Sequence, residues 1–186
     1  MVADILPVRY SQTELVELMI PAYANFGGKI HGGILLSIMD KVAYACASKH
    51  AGAYCVTVTV DNVEFLSPVE VGDLVRFAAS VNYVGRTSLV VGIKVTAENI
   101  KTGEQRHTNT SYFTMVAKDE TGKPTLVPRL LLETEEEVRR FLEAMKRKEL
   151  KKEYLQLFHD AKTELNIAQE IQKLSQERCV LALRNL

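Results

Sequence analysis

Between Ile34 and Ser48 nearly every residue is apolar, and only Ser37, Asp40 and Lys41 interrupt the run. A helix that is apolar almost all round is one that the rest of the chain covers. The segment therefore predicts a buried central helix over residues 33–50, closed by the "HAGAY" break at Gly52. A loop rich in glycine and poor in side chains, "GGKIHGG", leads directly into it.

What covers such a helix is legible in the runs that follow. In "YCVTVTVDNVEFL", Val56, Val58 and Val60 alternate with Thr57, Thr59 and Asp61, which is the period of a strand with one buried face. Val63 and Phe65 then carry the apolar positions at the opposite parity, so a bulge or bend is expected near Asn62. "LVRFAASVNYV", "LVVGIKVTAEN" and "RHTNTSYFTMVAKD" alternate in the same way and are separated by "GRTS" and "IKTGEQ" turns. Residues 11–20, "SQTELVELMI", suit either a strand or a short helix that Pro21 stops. One buried helix followed by an antiparallel meander is an α+β plan, with the sheet wrapped around the helix.

This plan uses residues 1–130, and a domain of about 130 residues buries roughly two-thirds of its unfolded surface without help from metal or disulfide. The remaining residues, 131–186, change character. "TEEE" reads as a capping box with Thr134 as N-cap and Glu137 three positions on. Two amphipathic helical stretches are expected beyond it, over roughly 134–149 and 150–178, as a C-terminal helical extension.

Several function classes are disfavoured by the totals. Basic and acidic residues number 23 each, so overall charge recruits neither nucleic acid nor an anionic membrane. Cys46, Cys55 and Cys179 are odd in number and lack metal-ligand spacing, as expected of reduced thiols in the cytoplasm. "MVADILPVRYSQTE" lacks the basic start and apolar core of a signal peptide, and no apolar run approaches the ~20 residues of a membrane span. A cytoplasmic protein without a membrane or nucleic-acid partner is the expectation.

The glycine loop has a chemical use. A helix that starts at Gly32–Gly33 turns its first N–H groups outward, and these, with the positive end of the helix dipole, favour negative charge on a nearby oxygen. Glycine allows a substrate carbonyl to approach closely. On a helical wheel Gly33, Ser37, Asp40 and Tyr44 share one side, so Asp40 stands about two turns below the N–H groups. A carboxylate in a segment built for burial must be paired or functional.

The ordered set Asn25-x-x-Gly28-x-x-His31-Gly32-Gly33-x6-Asp40, then "VTVTVDNVEFLSPVEVGD", "VGRTS", "IKVTAEN" and "TGE", resembles the hotdog-fold acyl-CoA thioesterases. The likeness is to the group of acyl-CoA hydrolases that contains the brain enzyme and bacterial single-domain relatives, and it spans about residues 10–130. It implies a hotdog fold and hydrolysis of fatty acyl-CoA to free acid and CoA. It implies a homodimer at minimum, with hexamers built as three dimers usual among similar proteins. No metal or bound cofactor is implied, because CoA is part of the substrate. Asn25 and Asp40 correspond to the family's catalytic pair, contributed across the dimer interface. Asp40 then serves as general base or as nucleophile, and the N–H of Gly32 or Gly33 polarises the carbonyl. His31 either contacts substrate or fixes the loop by donating a hydrogen bond. Thr57 corresponds to a strand threonine near the site in similar enzymes. Arg86, with Thr87 and Ser88, forms either an ordinary hairpin turn or a seat for a CoA phosphate, which suits a forked guanidinium. Cys46 and Cys55 read as core thiols. Two alternatives remain: a hotdog dehydratase or hydratase acting on acyl thioesters, and a non-catalytic acyl-CoA-binding module.

Overall fold

Strand order and one long helix define the architecture. The protein, a computed structural model, is described over residues 4–183. Five antiparallel strands, β2 (Thr13–Leu18), β3 (Tyr54–Asp61), β4 (Asp73–Val84), β5 (Ser88–Asn99) and β6 (Gln105–Lys118), form one sheet in the order β2-β4-β5-β6-β3. The helix α2 (Gly32–Ala51) touches all five. This is the hotdog fold, with the meander of β4, β5 and β6 at its centre.

The core lies between helix and sheet. Leu35, Met39, Val42, Ala43, Cys46 and Ala47 of α2 meet Val75, Phe77, Leu89, Val91, Ile93, Val95, Phe113 and Met115, all buried. A large apolar side chain fully removed from water contributes about 1.5–3 kcal/mol, so this contact anchors the fold. The alternation read in β4, β5 and β6 places these residues on one face. Residues 11–20 resolve in favour of a strand, because β2 pairs with β4 along its whole length.

Three expectations change. α2 is not covered all round: Gly33, Leu36, Ser37, Asp40, Lys41, Tyr44 and Ala45 form an exposed stripe, since a single sheet layer covers only one side of a helix. The irregularity expected near Asn62 occurs earlier, between Thr57 and Thr59, where β3 changes register against β6. Thr57 is exposed, and its hydroxyl reaches the exposed side of α2. A short parallel pair, β1 (Ile5–Pro7) with β7 (Arg129–Leu131), gave no periodic signal because each strand has only three residues. β1 runs directly into α1 (Val8–Ser11), a single turn whose Ser11 hydroxyl accepts from the Val81 N–H at 3.0 Å.

The chain forms two compact units, the first reaching Met145 and the second starting at Lys146. Helix α3 (Glu135–Glu164) begins with the capping box: Glu137 N–H donates to Thr134 Oγ1, and Thr134 N–H to Glu137 Oε2, both at 3.2 Å. In the first unit its Ala144 is buried, and the ring of Phe141 stands 5.0 Å from that of Tyr83. The expected break near residue 150 does not exist, because "KRKELKKEYLQ" contains neither glycine nor proline to stop the helix. The second unit is the rest of α3, a short helix α4 (Ile167–Glu170) capped by Asn166 Oδ1, and a 3-10 helix at Ile171–Gln176. Among the described residues no helix is long and apolar enough to cross a membrane.

Candidate active site

Two side chains occupy the N-terminus of α2. His31 is its N-cap, and its Nδ1 accepts from the Gly33 N–H at 2.8 Å. The imidazole lies so close that a Cβ on Gly33 would meet ring atoms at 2.9 Å. The structure shows a loop-fixing bond of His31, with the ring as acceptor and not as donor. Gly33 N–H is consequently engaged. Gly32 N–H has no hydrogen-bond partner among the described residues, and it is the outward donor of the helix. The ring of Phe65 lies over Gly32, 3.1 Å from where a Cβ would stand, so a side chain here would push the ring aside by a few tenths of an ångström. Phe65 was visible in the sequence only as a parity change after β3.

Asp40 lies on the exposed stripe of α2, which corrects the expectation of a buried carboxylate. It is nonetheless held. Thr57 Oγ1 donates to Asp40 Oδ1 at 2.7 Å, and the same hydroxyl oxygen stands 3.2 Å from Met115 Sδ. A hydroxyl has one proton, and a carboxylate accepts it more strongly than a thioether. Thr57 shares its side of β3 with the buried Cys55 two residues before it, in unbroken register with β6, and this alternation turns its side chain toward the helix. Asp40 Oδ2 is left for a water or a substrate.

Asn25 occupies a tight turn. Its Oδ1 accepts from Gly27 N–H at 2.8 Å and Lys29 N–H at 3.2 Å, while its own N–H and carbonyl bond to Lys29 O and from Gly28 N–H. Gly28 has φ 77°, a left-handed value that favours glycine. The turn is fastened to the segment before β4 by Lys29 Nζ on Glu70 Oε1 at 2.5 Å and by Ile30 N–H on Val69 O at 2.9 Å. With the amide oxygen consumed, the Nδ2 hydrogens are what Asn25 presents outward. Neither Lys29 nor Glu70 stood out in the sequence, because their pairing spans 41 positions.

Along α2, Gly32 and Asp40 are eight residues apart, roughly 12 Å at 1.5 Å per residue. A nucleophile that attacks the carbonyl carbon lies within about 7 Å of the donor to its oxygen, and a base acting through one water within about 10 Å, since each contact is only ~3 Å long. That spacing along the helix axis favours a donor and a carboxylate drawn from two protomers.

Arg86, Thr87 and Ser88 lie at the β4–β5 turn, where Gly85 N–H donates to Ser88 O at 2.7 Å. Arg86 O and Thr87 O accept from Val127 and Ala117, which fixes the turn from outside. The Arg86 side chain is exposed and has no hydrogen bond or ion pair among the described residues. No hydrogen bond links these three to Asn25, Gly32 or Asp40. The core thiols are unreactive: burial pushes Cys46 up to about 12 and raises Cys55.

Residues 27–104 match the Thioesterase superfamily. Protein VdlD of Helicobacter pylori is 52% identical over 134 residues, which are 72% of this chain and 76% of that protein. Among solved structures, a hexameric acyl-CoA thioesterase is 40% identical with a TM-score of 0.79, over 81% of this chain and 97% of its own. The acyl-CoA hydrolase of Staphylococcus aureus, solved with butyryl-CoA and CoA, is 29% identical with a TM-score of 0.76, over 92% and 99% of the two chains. That hydrolase has also been solved with alanine at an asparagine, an aspartate and a threonine. Their spacings along its chain equal those of Asn25, Asp40 and Thr57 here.

Proposed function

This chain belongs to the thioesterase superfamily, and we propose that it hydrolyses the thioester of acyl-CoA at sites shared between two protomers. The observation that carries the reading is the Asp40–Thr57 pair on the exposed stripe of α2, with a free N–H at the same helix's start. The distance between them along α2 favours a second copy, and an exposed stripe bearing Leu36 and Tyr44 beside the edge strand β3 offers the surface for it. The hexameric assembly of the relative that is 40% identical supports three such dimers.

In this reading Gly32 N–H of one protomer polarises the thioester carbonyl, and Asn25 of that protomer adds its Nδ2 hydrogens or orients the water. Asp40 of the partner subunit supplies Oδ2, either to take a proton from water or to attack the carbonyl carbon. Thr57 holds the other oxygen and so fixes the carboxylate's aim. A preorganised donor to the developing oxyanion contributes about 10²–10³ in rate, and a positioned base about 10²–10⁴. Arg86, uncommitted at its turn, pairs with a CoA phosphate, and Thr87 and Ser88 shape that seat. Release of CoA thiol from a series running from acetyl- to stearoyl-CoA tests the function. Dehydration or hydration without thiol release, or tight binding without turnover, would overturn it.

A further inference from the structure

Phe26 is the most exposed large apolar side chain of the described residues, at 115% of its reference exposure. It is not a floppy ring on a mobile tip. It sits in the Asn25–Lys29 turn, which four hydrogen bonds close, an antiparallel bridge from Ala24 to Ile30 seals, and the Lys29–Glu70 ion pair ties down. A firm turn that displays a whole phenyl ring to water is holding it ready for something apolar.

The neighbour in the chain says where the ring goes. Asn25 and Phe26 have Cα atoms about 3.8 Å apart. If Asn25 works beside Asp40 of the partner subunit, as the functional reading above requires, the rigid turn takes Phe26 into the same cleft. The side of α2 that would receive it is apolar on either side of Asp40: Leu36 one turn before and Tyr44 one turn after are both exposed. Tyr54 of β3 stands against Tyr44, with ring centroids 5.9 Å apart, and Val58 is exposed further along the same strand. A phenyl ring offers no hydrogen bond to the amides of the pantetheine arm, and the nucleotide, on whose base a ring can stack, is seated at Arg86 in the functional reading above. The apolar part of the substrate is the acyl chain.

We propose that Phe26 is one wall of the acyl-chain pocket of the neighbouring site and thereby sets how much of the chain is held. The inference rests on the thioesterase reading and adds to it the residue that selects the substrate's length. Burying a methylene against an apolar wall is worth about two- to fourfold in kcat/KM when the ring covers it.

The test compares Phe26→Ala and Phe26→Leu with the wild-type full-length chain on straight-chain acyl-CoAs, with light scattering on each protein. Phe26→Ala should lose less than about twofold in kcat/KM on acetyl-CoA. Its deficit should grow by about two- to fourfold with each methylene added, until the chain outruns the ring and the deficit levels off. Phe26→Leu should restore most of the loss, and all three proteins should scatter as the same assembly. A deficit equal at every chain length, no deficit at all, or a smaller assembly in Phe26→Ala would each overturn the wall. Wild-type chain that releases thiol from no acyl-CoA would instead overturn the thioesterase reading, and the wall with it.

Discussion

Thr57 of β3 and Asp40 of α2 meet in a 2.7 Å hydrogen bond that ties the exposed stripe of the helix to the edge strand of the sheet. It leaves one carboxylate oxygen fixed and the other open. Thr57→Val keeps shape but removes the donor, and Thr57→Ser keeps the donor. The valine variant should lose roughly tenfold or more in kcat, the cost of a charge-assisted hydrogen bond, and serine should recover most of it. Asp40→Asn should fall by about 10²–10⁴ with an unchanged melting curve. Near-full turnover in a folded Asp40→Asn protein would remove Asp40 from the chemistry.

The free donor at Gly32 can be deleted almost alone. Gly32 is the first residue of α2, where proline is favoured because its missing N–H was not used by the helix. His31 before it, with ψ 125°, already has the extended backbone that precedes proline. Gly32→Ala adds the same Cβ against Phe65 but keeps the N–H. The ratio of kcat in the alanine variant to that in the proline variant should be about 10²–10³. A ratio near one would mean that the carbonyl is polarised elsewhere.

Asn25 has two uses that one substitution separates. Asn25→Asp preserves the oxygen that accepts from Gly27 and Lys29 and replaces only the outward NH₂. Asn25→Ala removes both. Both variants should lose turnover comparably, by about 10²-fold or more, while only the alanine variant should lose stability, by about 1–2 kcal/mol. Full activity in a folded Asn25→Asp protein would leave the asparagine with its turn and nothing else.

His50, in the last turn of α2, is wholly buried and hydrogen-bonded through Nε2 to Pro128 O at 3.0 Å. Burial lowers its pKa, partly offset by that bond. In the unfolded chain the imidazole takes a proton near pH 6.5, so there the unfolded state binds more protons than the folded one. The contribution is therefore whole above about pH 6.5 and is lost as pH falls toward the lowered folded value. Urea midpoints at pH 7 and pH 5 should differ more for wild type than for His50→Gln, which keeps a donor and does not titrate. Equal differences would show that His50 does not carry the acid sensitivity.

The chain to Met145 holds every residue placed in the site, and also Phe141 on Tyr83. Protein ending there should hydrolyse acyl-CoA at close to the full-length rate. Protein ending near Arg129 loses the Phe141 ring and Ala144 and should melt several degrees lower. Loss of turnover on removing only the second unit would bring that unit into the chemistry.

How far the sequence led depends on whether a feature is local. The strands β4, β5 and β6, the helix α2 and the Thr134 capping box follow from period and spacing over short windows, and they were legible. The exposed stripe was not, because one-sided burial depends on how many layers pack around a helix and not on the helix's own composition. The Thr57–Asp40 bond joins a strand and a helix 17 positions apart, and which side of β3 meets α2 is set by its pairing with β6. The capping by His31 was misjudged in direction because the imidazole's acceptor role appears only once the helix's first N–H groups are in place. The Lys29–Glu70 clamp joins positions that no local pattern connects.

The roughly 12 Å between Gly32 and Asp40 along one helix has a consequence for mixed populations. On the shared-site reading, a chain damaged at Asp40 and another damaged at Gly32 are each inert with their own kind. When they pair, both lesions fall in one cleft and the other cleft is whole. Two dead proteins allowed to exchange partners thus regain half the sites of every hybrid pair, and a cell carrying one copy of each lesion would keep about a quarter of all its sites. Injury to such a chain is counted by the pair and not by the polypeptide.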